Sequence, residues 1–129
     1  MRITDAARAV GATPRALRWY EQHGLIRAAR TPAGYRDYSD SDLARIRNIR
    51  TLLSLGFTLE DIATFDAFLD GRLPERFAAS PGGPCEAALA RSRERLATLD
   101  RRIAELTGLR DRLAASISTG DDAPASSRG

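Results

Sequence analysis

The stretch Thr13-Pro14-Arg15-Ala16-Leu17-Arg18-Trp19-Tyr20-Glu21-Gln22-His23-Gly24-Leu25 decides how this chain is read. Thr13 carries the side-chain oxygen that a helix N-cap needs. Pro14 suits the first helical position, where its missing N–H has no partner to lose. Gly24 supplies a left-handed terminator, so the spacing predicts a helix over 14–23. Leu17 shares a face with Tyr20 or Glu21 and packs inward, while Arg15 and Arg18 emerge together on one side. Trp19 reads as packing rather than readout, and His23 as a cap on the helix end.

Upstream, a short helix is expected over 4–10 with Thr4 as its N-cap. Ile3, Ala6, Ala7 and Val10 fall at helical spacing and face a small core. Gly11 supplies the turn. Two short helices joined through a glycine match a helix-turn-helix, whose second helix points its N-terminal end into the major groove. Downstream, Leu25 and Ile26 could begin a short strand. Thr31-Pro32-Ala33-Gly34 is a turn, and Tyr35-Arg36-Asp37-Tyr38 alternates as a second strand does. Together they make a small hairpin, or wing.

Ser39 with Asp42 predicts a capping box opening a third helix. Its apolar stripe is Leu43, Ile46, Ile49, Leu52 and Leu53, and Arg45, Arg47 and Arg50 form a solvated face. Gly56 ends it. Thr58 with Asp61 opens a fourth helix that runs to Gly71 with Leu59, Ile62, Phe65 and Leu69 inward. Residues 71–84 read as a linker, because Pro81-Gly82-Gly83-Pro84 cannot continue a helix.

From about Cys85 to Ile117 or Ser118 runs one long helix. Its stripe is Cys85, Leu89, Ser92, Leu96, Leu99, Ile103, Leu106, Arg110, Leu113 and Ile117. The steps alternate four and three, the seam of a two-helix coiled coil. A helix of this length spans about 50 Å. The rest of so short a chain has nothing to cover it, so a homodimer is predicted. Residues 119–129 are small and polar and are expected to be a disordered tail.

The bulk numbers fit this reading. The chain has 129 residues, 43% hydrophobic and 29% charged, and all 20 basic residues are arginine. Residues 1–50 hold ten Arg and five acids, a net of +5, against +3 for the whole chain. The basic excess therefore lies at the front, as an anionic partner requires. There is no signal-peptide pattern and no apolar run long enough to span a membrane, so a cytoplasmic protein with no membrane association is expected. One Cys and one His per chain cannot close a zinc site, and no cofactor is expected. No nucleophile–base pair, phosphate loop or carboxylate dyad stands at useful spacing, so no enzyme activity is expected.

Arg18-Trp19-Tyr20-Glu21-x-x-Gly24-Leu25, Arg30, Gly34-Tyr35-Arg36-x-Tyr38, Asp42-Leu43 and Leu55-Gly56-Phe57-Thr58-Leu59-x-x-Ile62 occur here in one order and spacing. In that combination the chain resembles the MerR family of bacterial transcription regulators. The resemblance covers residues 1–70 and, through the long helix, extends to about 118. Trp19 stands where the family more often has Tyr, and Arg27-Ala28-Ala29 replaces a proline-containing segment. The resemblance implies a mainly α protein: a winged helix-turn-helix DNA-binding domain (1–70), a linker (71–84) and an antiparallel coiled-coil dimerisation helix (85–118). It implies a dimer on a palindrome in a promoter spacer, acting with RNA polymerase by distorting double-stranded DNA.

Carried over by position, Arg18 resembles the arginine that grips the DNA backbone and Tyr20 the hydroxyl beside it. Tyr35 and Arg36 resemble the wing residues that touch phosphate, and Tyr38 the aromatic that supports the wing and reaches toward the backbone. Arg15 is placed to read base edges. Thr13 has a hydroxyl for phosphate, although capping already explains it. The dimerisation residues are Leu89, Leu96, Leu99, Ile103, Leu106, Leu113 and Ile117. Cys85 sits where metal-sensing members have their first cysteine, but residues 111–129 contain no Cys, His or Met. It reads as a packed seam residue, with a lone thiol switch as the alternative. A small-molecule effector stays unidentified, and a constitutive architectural protein is the other alternative.

Overall fold

The computed structural model describes residues 1–74 and 84–117. The expected tail lies outside the described residues, as does the linker between 74 and 84. The chain divides into two compact units, Met1–Arg93 and Glu94–Gly129.

In the first unit, α1 (Ile3–Val10) and α2 (Pro14–Gln22) form the helix pair. Thr13 caps α2 by accepting from the Ala16 N–H at 3.1 Å. The expected cap of α1 is corrected: the N-cap is Arg2, with no side-chain capping bond, and Thr4 lies inside the helix. Gly11 at φ 70° accomplishes the turn, a conformation that costs a Cβ-bearing residue dearly. Ala6 and Ala7 on α1 and Leu17 on α2 are fully or almost fully buried, small residues letting the two helices approach.

The wing is shorter than the sequence predicts. Its strands are β1 (Ala29–Arg30) and β2 (Arg36–Asp37), antiparallel, with Ala29 opposite Asp37 and Arg30 opposite Arg36. Leu25 and Ile26 do not begin a strand. They are buried, as is Ala28, and anchor the wing's root in the core. Burial of these apolar side chains, rather than ladder pairing, holds the approach to the hairpin.

Then come α3 (Asp40–Ser54), α4 (Leu59–Ala63) and α5 (Asp66–Leu69). Both capping boxes form: Ser39 with Asp42, and Thr58 with Asp61. The predicted fourth helix is broken in two at Thr64–Phe65, and the break lets Phe65 turn fully inward beside Ile62 and Leu69. Its ring meets that of Phe57 edge-on at 4.9 Å. Aromatic pairs of this geometry add about 0.5–1.5 kcal/mol beyond their burial.

Arg45 corrects another expectation. It is not part of a solvated face. Its guanidinium donates to Leu25 O at 2.5 Å and to Asp66 at 2.6 Å, and pairs with Asp70 at 3.1 Å. Burial lowers its affinity for a proton, but the bonds to Asp66 and Asp70 outweigh that and hold it above the ordinary arginine value. Asn48 adds two bonds to the same segment, to Leu69 O and Gly71 O at 2.8 and 2.7 Å. Together they fix α5 and the residue after α2 on α3.

The last helix, α6, is Pro84–Ser116. Its first turns belong to the first unit: Ala88 is fully buried there, and Arg91 meets the buried cap residue Asp61 at 3.5 Å. In the second unit Leu96, Ile103, Leu106, Leu109, Leu113 and Ile117 are all exposed. Among the described residues no helix is long and apolar enough to cross a membrane.

Candidate nucleic-acid interface

The face of α2 that turns away from the core carries Arg15, Arg18, Trp19 and Gln22, all exposed, while Leu17 and Tyr20 are buried. Helical periodicity puts Arg15 and Gln22 at the centre of that face. Arg18 forms one shoulder, toward Glu21. Trp19 forms the other, beside a shallow depression of about 500 Å³ that it lines with Thr13, Arg15, Leu53 and Leu59.

Trp19 is the main departure from expectation on this helix. It does not pack inward but is 53% exposed. Its ring touches that of His23 at 4.6 Å, and His23 Nδ1 donates to Trp19 O at 3.0 Å, capping the helix end. Gln22 was missed as well. Only the position of the core relative to α2 brings it to the middle of the outward face, and residue type alone does not signal that.

The wing is joined to this helix by one short ion pair, Arg36 Nε to Glu21 Oε1 at 2.6 Å, with both side chains about three-quarters buried. Its turn closes through Thr31: Thr31 N–H donates to Tyr35 O at 2.7 Å, and Tyr35 N–H to Thr31 Oγ1 at 3.1 Å. Gly34 at φ 90° allows the tight reversal. Tyr35 is half exposed at the tip, with the Arg2 guanidinium 4.0 Å from its ring centre. Arg2 is another residue that sequence reasoning missed, because its proximity to Tyr35 is made by the tertiary fold.

Of the expected contact residues, Thr13, Arg15, Arg18 and Tyr35 are exposed on this side of the unit, and Arg36 is half-buried beneath Tyr35. Tyr20 and Tyr38 are core residues, 5% and 3% exposed. This corrects the expectation for Tyr38 of a reach toward the DNA backbone: its hydroxyl is fully covered and has no hydrogen-bond partner among the described residues. Burial, and then the nearby Glu21 carboxylate, push its ionisation above 10.0. Tyr38 therefore supports the wing from below.

Five guanidinium groups in the front part, those of Arg2, Arg15, Arg18, Arg27 and Arg30, pair with no carboxylate among the described residues. Charge left uncompensated over one region is what a polyanion neutralises. Elsewhere, Cys85 is half-buried at the second residue of α6. Among the described residues no three His, Cys, Asp or Glu side chains gather as a metal site.

An outward helix of arginines, a basic wing beside it and a long C-terminal helix define a winged helix-turn-helix DNA-binding protein. Comparison with known proteins narrows the class. The description "MerR HTH family regulatory protein" fits residues 1–67, and "MerR, DNA binding" fits residues 43–115. The HTH-type transcriptional regulator CueR of Salmonella typhi is 33% identical over 126 residues, 95% of this chain and 84% of that protein. The solved N-terminal part of the Bacillus subtilis multidrug transporter activator, MtaN, matches with a TM-score of 0.60 and 32% identity, over 90% of this chain and 99% of its own. HiNmlR, a MerR family regulator lacking the sensor domain and solved bound to promoter DNA, shares the fold with a TM-score of 0.52 at 24% identity, over 88% and 84% of the two chains. The chain belongs to the MerR family and is a DNA-binding transcriptional regulator.

Proposed function

We propose that this regulator binds, as a homodimer, a palindrome lying within a promoter spacer, and alters the work of RNA polymerase by bending and untwisting that spacer. The observation that carries this reading is the outward face of α2, with Arg15, Arg18 and Gln22 at its centre and shoulder and the wing tied to it through Glu21 and Arg36. Arg18 and the wing grip phosphates on either side of the groove. Arg15 reads a base edge, guanine being the natural partner of its bidentate fork. The cost of bending the duplex, of order 1–6 kcal/mol, is offset by contacts that only the bent form permits.

The dimer reading rests on α6. Five of its expected seam residues, Leu96, Ile103, Leu106, Leu113 and Ile117, are each more than half exposed in the single chain. An apolar row of this kind on a helix is covered by a second helix, antiparallel as the family resemblance implies. Leu109, 55% exposed beside the seam, widens the strip. The protein acts in the cytoplasm by binding and not by catalysis. A constitutive architectural protein is the weaker reading, since the relatives are regulators. For Cys85, half-burial at the helix start supports packing over a switch.

The test is selection of duplexes from a random library by the purified full chain, followed by footprinting. A palindrome protected on one face, found again in a promoter spacer, is the expected result. Arg18→Ala should weaken binding to every sequence and reduce its salt slope by about 0.9, whereas Arg15→Ala should relax base preference. Selection of a single half-site, or of no sequence, overturns the reading.

A further inference from the structure

The wing meets the start of α1 in a depression of about 320 Å³ that nothing above has used. Arg2, Thr4, Arg30, Tyr35 and Arg36 line it, and no carboxylate does. The fold makes this meeting. Tyr38 N–H donates to Met1 O at 2.7 Å, so the segment entering α1 runs alongside β2 and delivers residue 2 to the wing's tip. Arg2 then lies over the Tyr35 ring at 4.0 Å, and Arg30 reaches across the turn to Gly34 O at 3.4 Å.

The three guanidinium groups are not equivalent. Arg36 is held by Glu21 at 2.6 Å, so much of its charge is compensated within the protein. Arg2 and Arg30 have no carboxylate partner among the described residues. Stacking on the aromatic ring also limits the motion of Arg2, so less entropy is lost when it grips a ligand. Two unpaired planar forks and a phenol around one open depression suit an oxyanion with several acceptor oxygens.

We propose that Arg2 and Arg30, with the Tyr35 hydroxyl, clamp one backbone phosphate of duplex DNA, and that Arg2 is the principal anchoring cation of the wing. The inference rests on the DNA-binding reading and revises it. Arg36, the expected phosphate contact, instead fastens the wing to α2. The neutralising charge comes from a residue far away in the chain.

The experiment measures fluorescence anisotropy of a labelled duplex selected by the wild-type full chain, titrated between roughly 50 and 200 mM NaCl. Arg2→Ala should lower affinity about tenfold and reduce the slope of log K against log salt by about 0.9. Its base preference and thermal melt should not change. Arg2→Lys should keep the slope and recover only part of the affinity, because lysine lacks the planar fork. A wild-type slope in Arg2→Ala overturns the clamp, even where affinity falls, since Arg2 would then only orient Tyr35. If Arg2→Ala fails to fold, Arg30→Ala decides by the same slope. Inorganic phosphate alone shifting the Tyr35 ring resonances, with the DNA slope unaffected by Arg2→Ala, would assign the site to a free anion and overturn it as well. A wild-type chain that selects no duplex removes the DNA-binding reading itself. Selection by the wild type with an unmoved slope in the variant removes only the clamp.

Discussion

Arg36 in the wing and Glu21 in α2 are joined by a 2.6 Å hydrogen-bonded ion pair, both side chains largely buried. The pair makes the wing and the recognition helix one rigid unit, at the price of a negative charge close to where DNA phosphates would lie. Glu21→Gln keeps an acceptor for Arg36 but removes that charge. The expected result is a loss of about 1 kcal/mol in folding stability, read by denaturant melts, together with tighter, more salt-sensitive duplex binding. Weaker binding with an unchanged salt slope would show that the charge of Glu21 is needed to orient the wing.

Trp19 is the single tryptophan of the chain and is 53% exposed, so its fluorescence reports directly on the outward face of α2. The free protein should emit at the long wavelength of a hydrated indole, and duplex DNA should quench and shift the emission. Trp19→Ala should cost less than about 1 kcal/mol, in contrast to the 3–5 kcal/mol typical of a buried tryptophan. A larger loss, or emission blind to DNA, would put the ring in the core after all.

Leu106 is 64% exposed on α6. Leu106→Glu places a charge in the seam proposed for the dimer, where desolvation makes it costly. Sedimentation should then give the 14.1 kDa chain rather than twice that mass, with the α1–α5 unit still folded. Retention of the dimer would mean that the seam lies on another face of the helix.

Tyr38 buries a hydroxyl that has no partner. Tyr38→Phe removes an unsatisfied polar group without changing the ring and should stabilise the fold by about 1 kcal/mol. The same residue sets an alkaline limit. Its ionisation is raised above 10.0 in the folded protein, so its contribution is intact below pH 10. It is lost as the pH rises from there through the folded value, because the unfolded chain releases the proton first. Phenylalanine should remove this part of the alkaline loss, as pH-dependent melts would show; identical curves for the two proteins would refute the assignment.

Much was legible in the linear sequence because it depends on residues close together in the chain. Thr13-Pro14 and Gly24 bound α2, Ser39 with Asp42 and Thr58 with Asp61 start α3 and α4, and the four–three spacing from Leu89 onward marks the strip along α6. Caps, turns and periodicities are local physics, and the motif order from Arg18 to Ile62 identifies the family from those same residues. The tertiary structure alone decided which side chains are left outside. Trp19 is exposed because the core lies on the Leu17–Tyr20 side of α2, and Tyr38 is covered because Leu25, Ile26 and Ala28 root the wing inward. Arg45 became a clamp because α5 and the end of α2 both reach it. Arg2 arrives at Tyr35 through a backbone hydrogen bond between residues 1 and 38. Contacts of that separation depend on how the elements pack, and no local pattern in the chain encodes them.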